Sequence, residues 1–238
     1  GDGWIASEPK TVLLGAGEAP GPFVPYEARQ VVTQTFTLYM PGTTQLYALG
    51  QPEVFGMPIK ASVYEVPGPG DTPLVSSLAA AYSRYKLKSG DTYMVISTVS
   101  AVDEKTLRLS GTDLPEWADR YLQLPDDLPQ RVRDLALEIT APYDNYYDKA
   151  MAIQDYLREY TYNEQIQRPP LGVDRVDYFL FELKEGYCNY YASAMAVLAR
   201  AAGIPARVAA GYTRGDWESD AQAFRVRQYH SHAWVEIY

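Results

Sequence analysis

The stretch that most constrains the fold is residues 186–202, which begins Gly186-Tyr187-Cys188-Asn189-Tyr190-Tyr191-Ala192 and carries no charge between Asn189 and Ala199. Small or apolar residues recur at 188, 192, 195, 199 and 202, the spacing of one helical face. The other face, Tyr191, Ala194, Leu198 and Ala201, is apolar too, and a helix apolar all round is a buried one. Gly203 and Pro205 then stop it. Cys188, the single cysteine of the 238 residues, therefore opens the first turn of a buried helix. Free N–H groups and the helix dipole favour a thiolate there.

The rest of the chain can surround such a helix. A hydrophobic fraction of 47% with 13% aromatics is that of a folded globular chain. The balance is acidic, 21 basic against 30 acidic residues, and no Lys/Arg cluster interrupts it, which excludes nucleic acid as the expected partner. One cysteine forms no intramolecular disulfide, so cysteine usage does not identify a compartment. No apolar run approaches the ~18 residues of a spanning helix and the N-terminus is no signal peptide, so the 238 residues are expected to behave as a soluble piece.

Residues 1–30 are rich in Gly, Pro and Ala and read as an arm with at most a short strand. Period-two runs follow from Val32 to Tyr39, Ile59 to Val66 and Thr92 to Val102, with a turn at Lys88-Ser89-Gly90-Asp91 joining Ala80–Leu87 to the last. Pro52 and Pro67-Gly68-Pro69-Gly70 read as breaks. Residues 1–115 thus make a β-rich domain, a sandwich or curled sheet. Residues 116–238 change character. Pro125 to Pro129 lead into a helix at Arg131–Thr140, and Asp144 is expected to cap a second at Tyr146–Tyr160. A short helix at Val176–Leu183 precedes the cysteine helix. Strands at Ile204–Thr213, Phe224–Gln228 and His232–Tyr238 follow it. Helices and then antiparallel strands make an α+β order.

A cysteine at a helix start becomes a catalyst when a histidine can take its proton. Both histidines of the chain lie in Tyr229-His230-Ser231-His232-Ala233-Trp234-Val235-Glu236. As a strand, this places His230, His232, Trp234 and Glu236 on one face. A buried cysteine helix followed by a histidine-bearing strand is a papain-like layout. His230 reads as structural or exposed, since one base is enough. A zinc site of Cys188, His230 and His232 lacks a fourth ligand, and neither a metal nor a cofactor is expected. Trp234 and Tyr187 either wall a cleft or simply pack, and Arg207 and Arg214 are expected to pair locally.

The residues Gly186 to Ala192, Leu198-Ala199-Arg200-Ala201-Ala202-Gly203-Ile204-Pro205-Ala206-Arg207-Val208, Gly211-Tyr212 and His232-Ala233-Trp234-Val235-Glu236 together resemble the transglutaminase-like core, from about residue 126 onward. Tyr121-Leu122-Gln123-Leu124-Pro125, Tyr147-Asp148-Lys149-Ala150 and Asp177-Tyr178-Phe179-Leu180-Phe181 resemble the bacterial membrane-anchored proteins of the TgpA type. The resemblance implies a cysteine enzyme with Cys188 as nucleophile and His232 as base. It also implies an extracytoplasmic location, periplasmic or on the outer face of the cytoplasmic membrane, with membrane helices outside these 238 residues. The aspartate that orients the histidine would lie on the strand after it. The sequence ends six residues past His232, so the core is expected to lack its last strands. Asp216, Asp220 and Glu236 do not fit that role, and the loss of such a carboxylate lowers turnover by about 10⁴ in a serine triad.

The implied reaction is acyl transfer: thioester formation from a protein glutamine or similar amide, then transfer to an amine or to water. The partners would be a protein or peptide amide and an amine acceptor. A protease using the same pair and a catalytically silent extracytoplasmic scaffold are the alternatives.

Overall fold

Alternating β-branched residues build the first part of the chain. The computed structural model describes residues 8–40 and 42–238. Among them the chain divides into two compact units between Asp103 and Glu104.

Seven strands make the first unit: β1 Lys10–Leu14, β2 Arg29–Thr37, β3 Thr43–Leu46, β4 Gln51–Phe55, β5 Ile59–Val66, β6 Leu74–Leu87 and β7 Thr92–Ser100. They form two antiparallel sheets, ordered β1-β5-β6-β3 and β2-β7-β4. Ile59, Ala61 and Val63 alternate inward from the first and join Phe55, Tyr93 and Val95 of the second in one core. That is a β-sandwich. The turn after β6 forms as expected, with the Lys88 N–H donating to Asp91 Oδ2 at 2.7 Å, but it carries the chain from one sheet to the other and pairs no hairpin.

Pro52 corrects the sequence reading, since it lies inside β4 and breaks nothing. β4 is an edge strand whose register against β7 shifts between Pro52 and Val54. An edge position with a bulge is where a strand tolerates a missing N–H.

The second unit carries α1 Glu104–Leu109, a 3₁₀ turn at Glu116–Tyr121, α2 Gln130–Thr140, α3 Tyr146–Arg158, β8 Thr161–Tyr162, α4 Arg175–Tyr178, β9 Glu185–Gly186 and α5 Cys188–Ala201. Four strands complete it: β10 Ala206–Tyr212, β11 Asp216–Glu218, β12 Ala223–Arg225 and β13 Ser231–Ile237. α4 runs on as a wider helical turn through Leu183. Asn145, not Asp144, caps α3, because its side chain accepts the Asp148 N–H at 2.8 Å. α2 and α3 pack Val132, Ala136, Ile153 and Leu157 against α5, whose Ala194, Ala196, Leu198 and Ala199 are wholly enclosed. Burying each large aliphatic is worth roughly 1.5–3 kcal/mol, which fixes α5 along the middle of the unit.

A buried charge fastens the far end of that helix. Arg200 donates from Nε to the Ala206 carbonyl at 2.8 Å and from Nη1 to the Gln123 carbonyl at 2.7 Å. The helix end, the first residue of β10 and the segment before α2 are thereby tied together. No helix among the described residues is long and apolar enough to cross a membrane.

Candidate active site

α5 begins at Cys188 because the chain before it is held extended. Tyr187 sits at φ −118° and ψ −179° and offers no side-chain cap. β9 is paired in parallel with β8, Thr161 opposite Glu185 and Tyr162 opposite Gly186. Gly186 is required there: a Cβ would come within 3.0 Å of the Tyr190 Cβ and 3.2 Å of the Phe179 ring. No side chain caps the helix, and within its first turn the Tyr190 N–H is taken by the Tyr187 carbonyl at 2.8 Å.

Cys188 is half-buried, and its Sγ lies 3.8 Å from Asn189 Oδ1. Aromatic rings enclose this end of the helix. Tyr162 stacks on Tyr191 at 6.0 Å, and Phe179 meets Tyr190 and Tyr191 at 5.7 and 5.2 Å. Tyr187 sets its ring edge-on to Tyr190. Burial, ahead of neighbouring charges, raises the phenol pKa of Tyr162, Tyr190 and Tyr191. The Tyr191 hydroxyl is enclosed without a hydrogen-bond partner among the described residues.

The histidine side is a two-stranded antiparallel ribbon, β10 with β13, in which Gly211 stands opposite His232. α5 packs along both strands, so the residue that opens the helix and the second residue of β13 belong to adjoining elements. Ala233 is buried, and Val235 and Ile237 pack on the α5 core. His232 and Trp234 alternate with them on the other face. Trp234 closes over Gly211. Among the described residues, no hydrogen bond or ion pair joins the His232 ring to Cys188 or to a carboxylate.

His230 does not share that face. It lies in a 3₁₀ turn, Gln228–His230, before the strand starts. Its Nδ1 accepts the Arg227 N–H at 2.9 Å, and its Nε2 stands 3.6 Å from Asp216 Oδ2. The same oxygen accepts from Arg227 Nη1 at 2.8 Å and from the Tyr229 hydroxyl at 3.1 Å. Asp216 thus belongs with His230 in a lock across the β11–β12 hairpin. Glu236 is held by Arg207, its cross-strand partner, at 2.7 Å. Among the described residues, no group of three His, Cys, Asp or Glu could hold a metal ion.

Tyr162 is the residue at this site that sequence reasoning passed over. A two-residue strand shows no periodicity, and each of its residues pairs with one 24 positions further along the chain.

Comparison with known proteins gives consistent matches. The family model of the transglutaminase-like superfamily matches residues 133–238. The uncharacterised protein YebA of Bacillus subtilis is 39% identical over 178 residues, covering 71% of this chain and 24% of the relative. A protein-glutamine gamma-glutamyltransferase of Pseudomonas aeruginosa is 38% identical over 134 residues, covering 56% of this chain and 20% of that protein. The chain therefore spans about a quarter or less of the length of these curated relatives. Among solved structures, the periplasmic domain of TgpA from Pseudomonas aeruginosa matches with a TM-score of 0.59 at 27% identity, over 94% of this chain and 70% of that one.

Proposed function

We propose that Cys188 is the nucleophile and His232 the general base of an acyl transfer from an amide, a reading supported by the match of residues 133–238 to the family model of the transglutaminase-like superfamily. The observation that carries this reading is the placement of Cys188 at the uncapped start of α5, the helix that packs on the strand bearing His232. The thiol gives its proton to His232 and the sulfur attacks the carboxamide carbon. The carbonyl pair moves to oxygen, beside the Cys188 N–H. Collapse expels ammonia, which takes the proton back from His232, and leaves a thioester on Cys188. A primary amine then displaces the sulfur to form a secondary amide, or water displaces it to form a carboxylate. Either route restores the thiol.

The donors in this reading are protein or peptide glutamines and the acceptors are amines. The proposed site of action is extracytoplasmic, in a membrane-attached parent protein; the periplasmic origin of the matched TgpA domain supports the first part of this reading.

The experiment pairs a glutamine-rich protein with a fluorescent primary amine and follows ammonia release and amine incorporation, with Cys188→Ala as control. Cysteine-dependent incorporation is the expected result. Ammonia alone would mean a hydrolase. Neither product, with cysteine-dependent peptide cleavage instead, would replace the transferase reading with a protease.

A further inference from the structure

The first unit carries a cleft that the reaction written above does not use. β3 covers β6 unevenly: Thr43 pairs with Leu87 and Gln45 with Tyr82, so residues 83–86 of β6 stand opposite Thr44 alone. Within that bulge the Ser83 Oγ accepts the Tyr85 N–H at 3.3 Å. The sheet opens there into a cleft of about 540 Å³ lined by Leu13, Thr44, Lys60, Tyr82, Ser83 and Arg84, a volume typical of ligand sites. Leu13, Lys60 and Tyr82 form one row across β1, β5 and β6, because Leu13 pairs with Lys60 and Lys60 with Tyr82.

Two cations line this cleft and no carboxylate does. Among the described residues neither the Lys60 ammonium nor the Arg84 guanidinium has an ion pair or hydrogen bond, whereas Lys10 of the same sheet is neutralised by Glu65 at 2.8 Å. Leu13 and Tyr82 are exposed and put apolar surface beside the charges. In a chain of formal net charge −9, an unneutralised basic recess is where an acidic partner is drawn in and oriented. From the charge of its lining and the open ladder beside it, we propose that this cleft binds an acidic, extended peptide segment of a protein partner. Alternate residues of such a segment share a face, so its carboxylates meet Lys60 and Arg84 while an apolar side chain lies on Leu13 and Tyr82. Its backbone runs beside residues 83–86, where β3 leaves β6 uncovered. A membrane surface fits less well, because it is flat and these cations line a recess. The inference does not depend on the chemistry at Cys188.

Fluorescence anisotropy of a fluorescein-labelled peptide alternating glutamate and valine tests this on the whole protein, with an alternating glutamine–valine peptide for comparison. The expected result is saturable binding of the acidic peptide below about 1 mM, weakened by added salt. Lys60→Glu combined with Arg84→Glu should weaken it about tenfold or more, through two lost ion pairs and new repulsion. The milder pair Lys60→Gln and Arg84→Gln should act in the same direction, and the thermal midpoint should hold. Lys105→Glu with Arg168→Glu makes the same change in net charge at exposed positions of the second unit, and should leave binding within about twofold. Equal losses in the two Glu pairs would reduce the effect to net charge and overturn the proposal. Equal binding of the glutamine peptide, or no saturable binding of the acidic one, would overturn it too. Binding to phosphatidylglycerol vesicles without binding to the peptide would replace the peptide with a lipid surface.

Discussion

Gly211 lies under the indole of Trp234: a Cβ at Gly211 would come 3.1 Å from Cη2 of that ring. Because Gly211 is the cross-strand partner of His232, this contact helps fix the backbone that carries the histidine. Gly211→Ala is expected to cost about 1 kcal/mol, the low end for overpacking. In a Trp234→Leu background the penalty should disappear, because the clash has lost its partner. Urea unfolding of the four members of this cycle measures it, and an unchanged penalty would place the cost elsewhere.

Arg200 is the second test of how α5 is held. Arg200→Met keeps much of the volume but leaves the Ala206 and Gln123 carbonyls without their donor. Unpaired buried acceptors cost roughly 1–3 kcal/mol each, and relief from burying the charge offsets part of this. A net loss of about 2 kcal/mol is expected in denaturant unfolding. An unchanged midpoint would mean that water reaches both carbonyls.

Tyr93 gives the first unit an alkaline limit. Its hydroxyl accepts the Tyr47 N–H at 2.7 Å and donates to the Tyr47 carbonyl at 3.1 Å, and burial pushes its pKa up to about 12. The unfolded phenol titrates near 10. A folded-state pKa raised above the unfolded one contributes stability that is fully present below pH ~10 and is lost as pH rises toward ~12. By pH ~11 the loss should be about 1.4 kcal/mol. Tyr93→Phe should be less stable than wild type at pH ~9, and the gap should narrow as pH rises. Unfolding followed by near-ultraviolet circular dichroism at the two pH values checks this, and a constant gap would contradict it.

The two histidines should separate cleanly. His232→Ala should slow iodoacetamide alkylation of Cys188, because in the proposed mechanism His232 takes the thiol proton. His230→Ala should leave that rate unchanged while loosening the hairpin, since it removes the acceptor of the Arg227 N–H and a neighbour of Asp216. Alkylation kinetics with limited proteolysis of residues 214–230 reads both effects. If the two variants behave alike, the base is misassigned.

Legibility in the sequence followed the length of each pattern. The charge-free run of α5 declares its start, its end and its burial, and Ile59–Val66 alternates over a complete strand. Pairing partners were not legible. Leu87 and Thr92 are joined by a short turn yet belong to different sheets, and only the shared core of Val75, Tyr93 and Val95 decides that. The 3₁₀ turn that takes His230 off the His232 face interrupts an otherwise strand-like alternation, and is set by the Arg227 N–H bonding back to the ring. Tyr162 was hidden for the same reason, since a strand of two residues has meaning only beside its partner.

The most direct test is to look for the covalent intermediate. The protein is mixed with a short glutamine peptide, quenched in acid and weighed intact by mass spectrometry, alongside Cys188→Ala. A thioester mechanism predicts an adduct equal to the peptide less ammonia, located on Cys188, absent from the variant and discharged by a primary amine. No adduct, or an adduct that persists in Cys188→Ala, would contradict it.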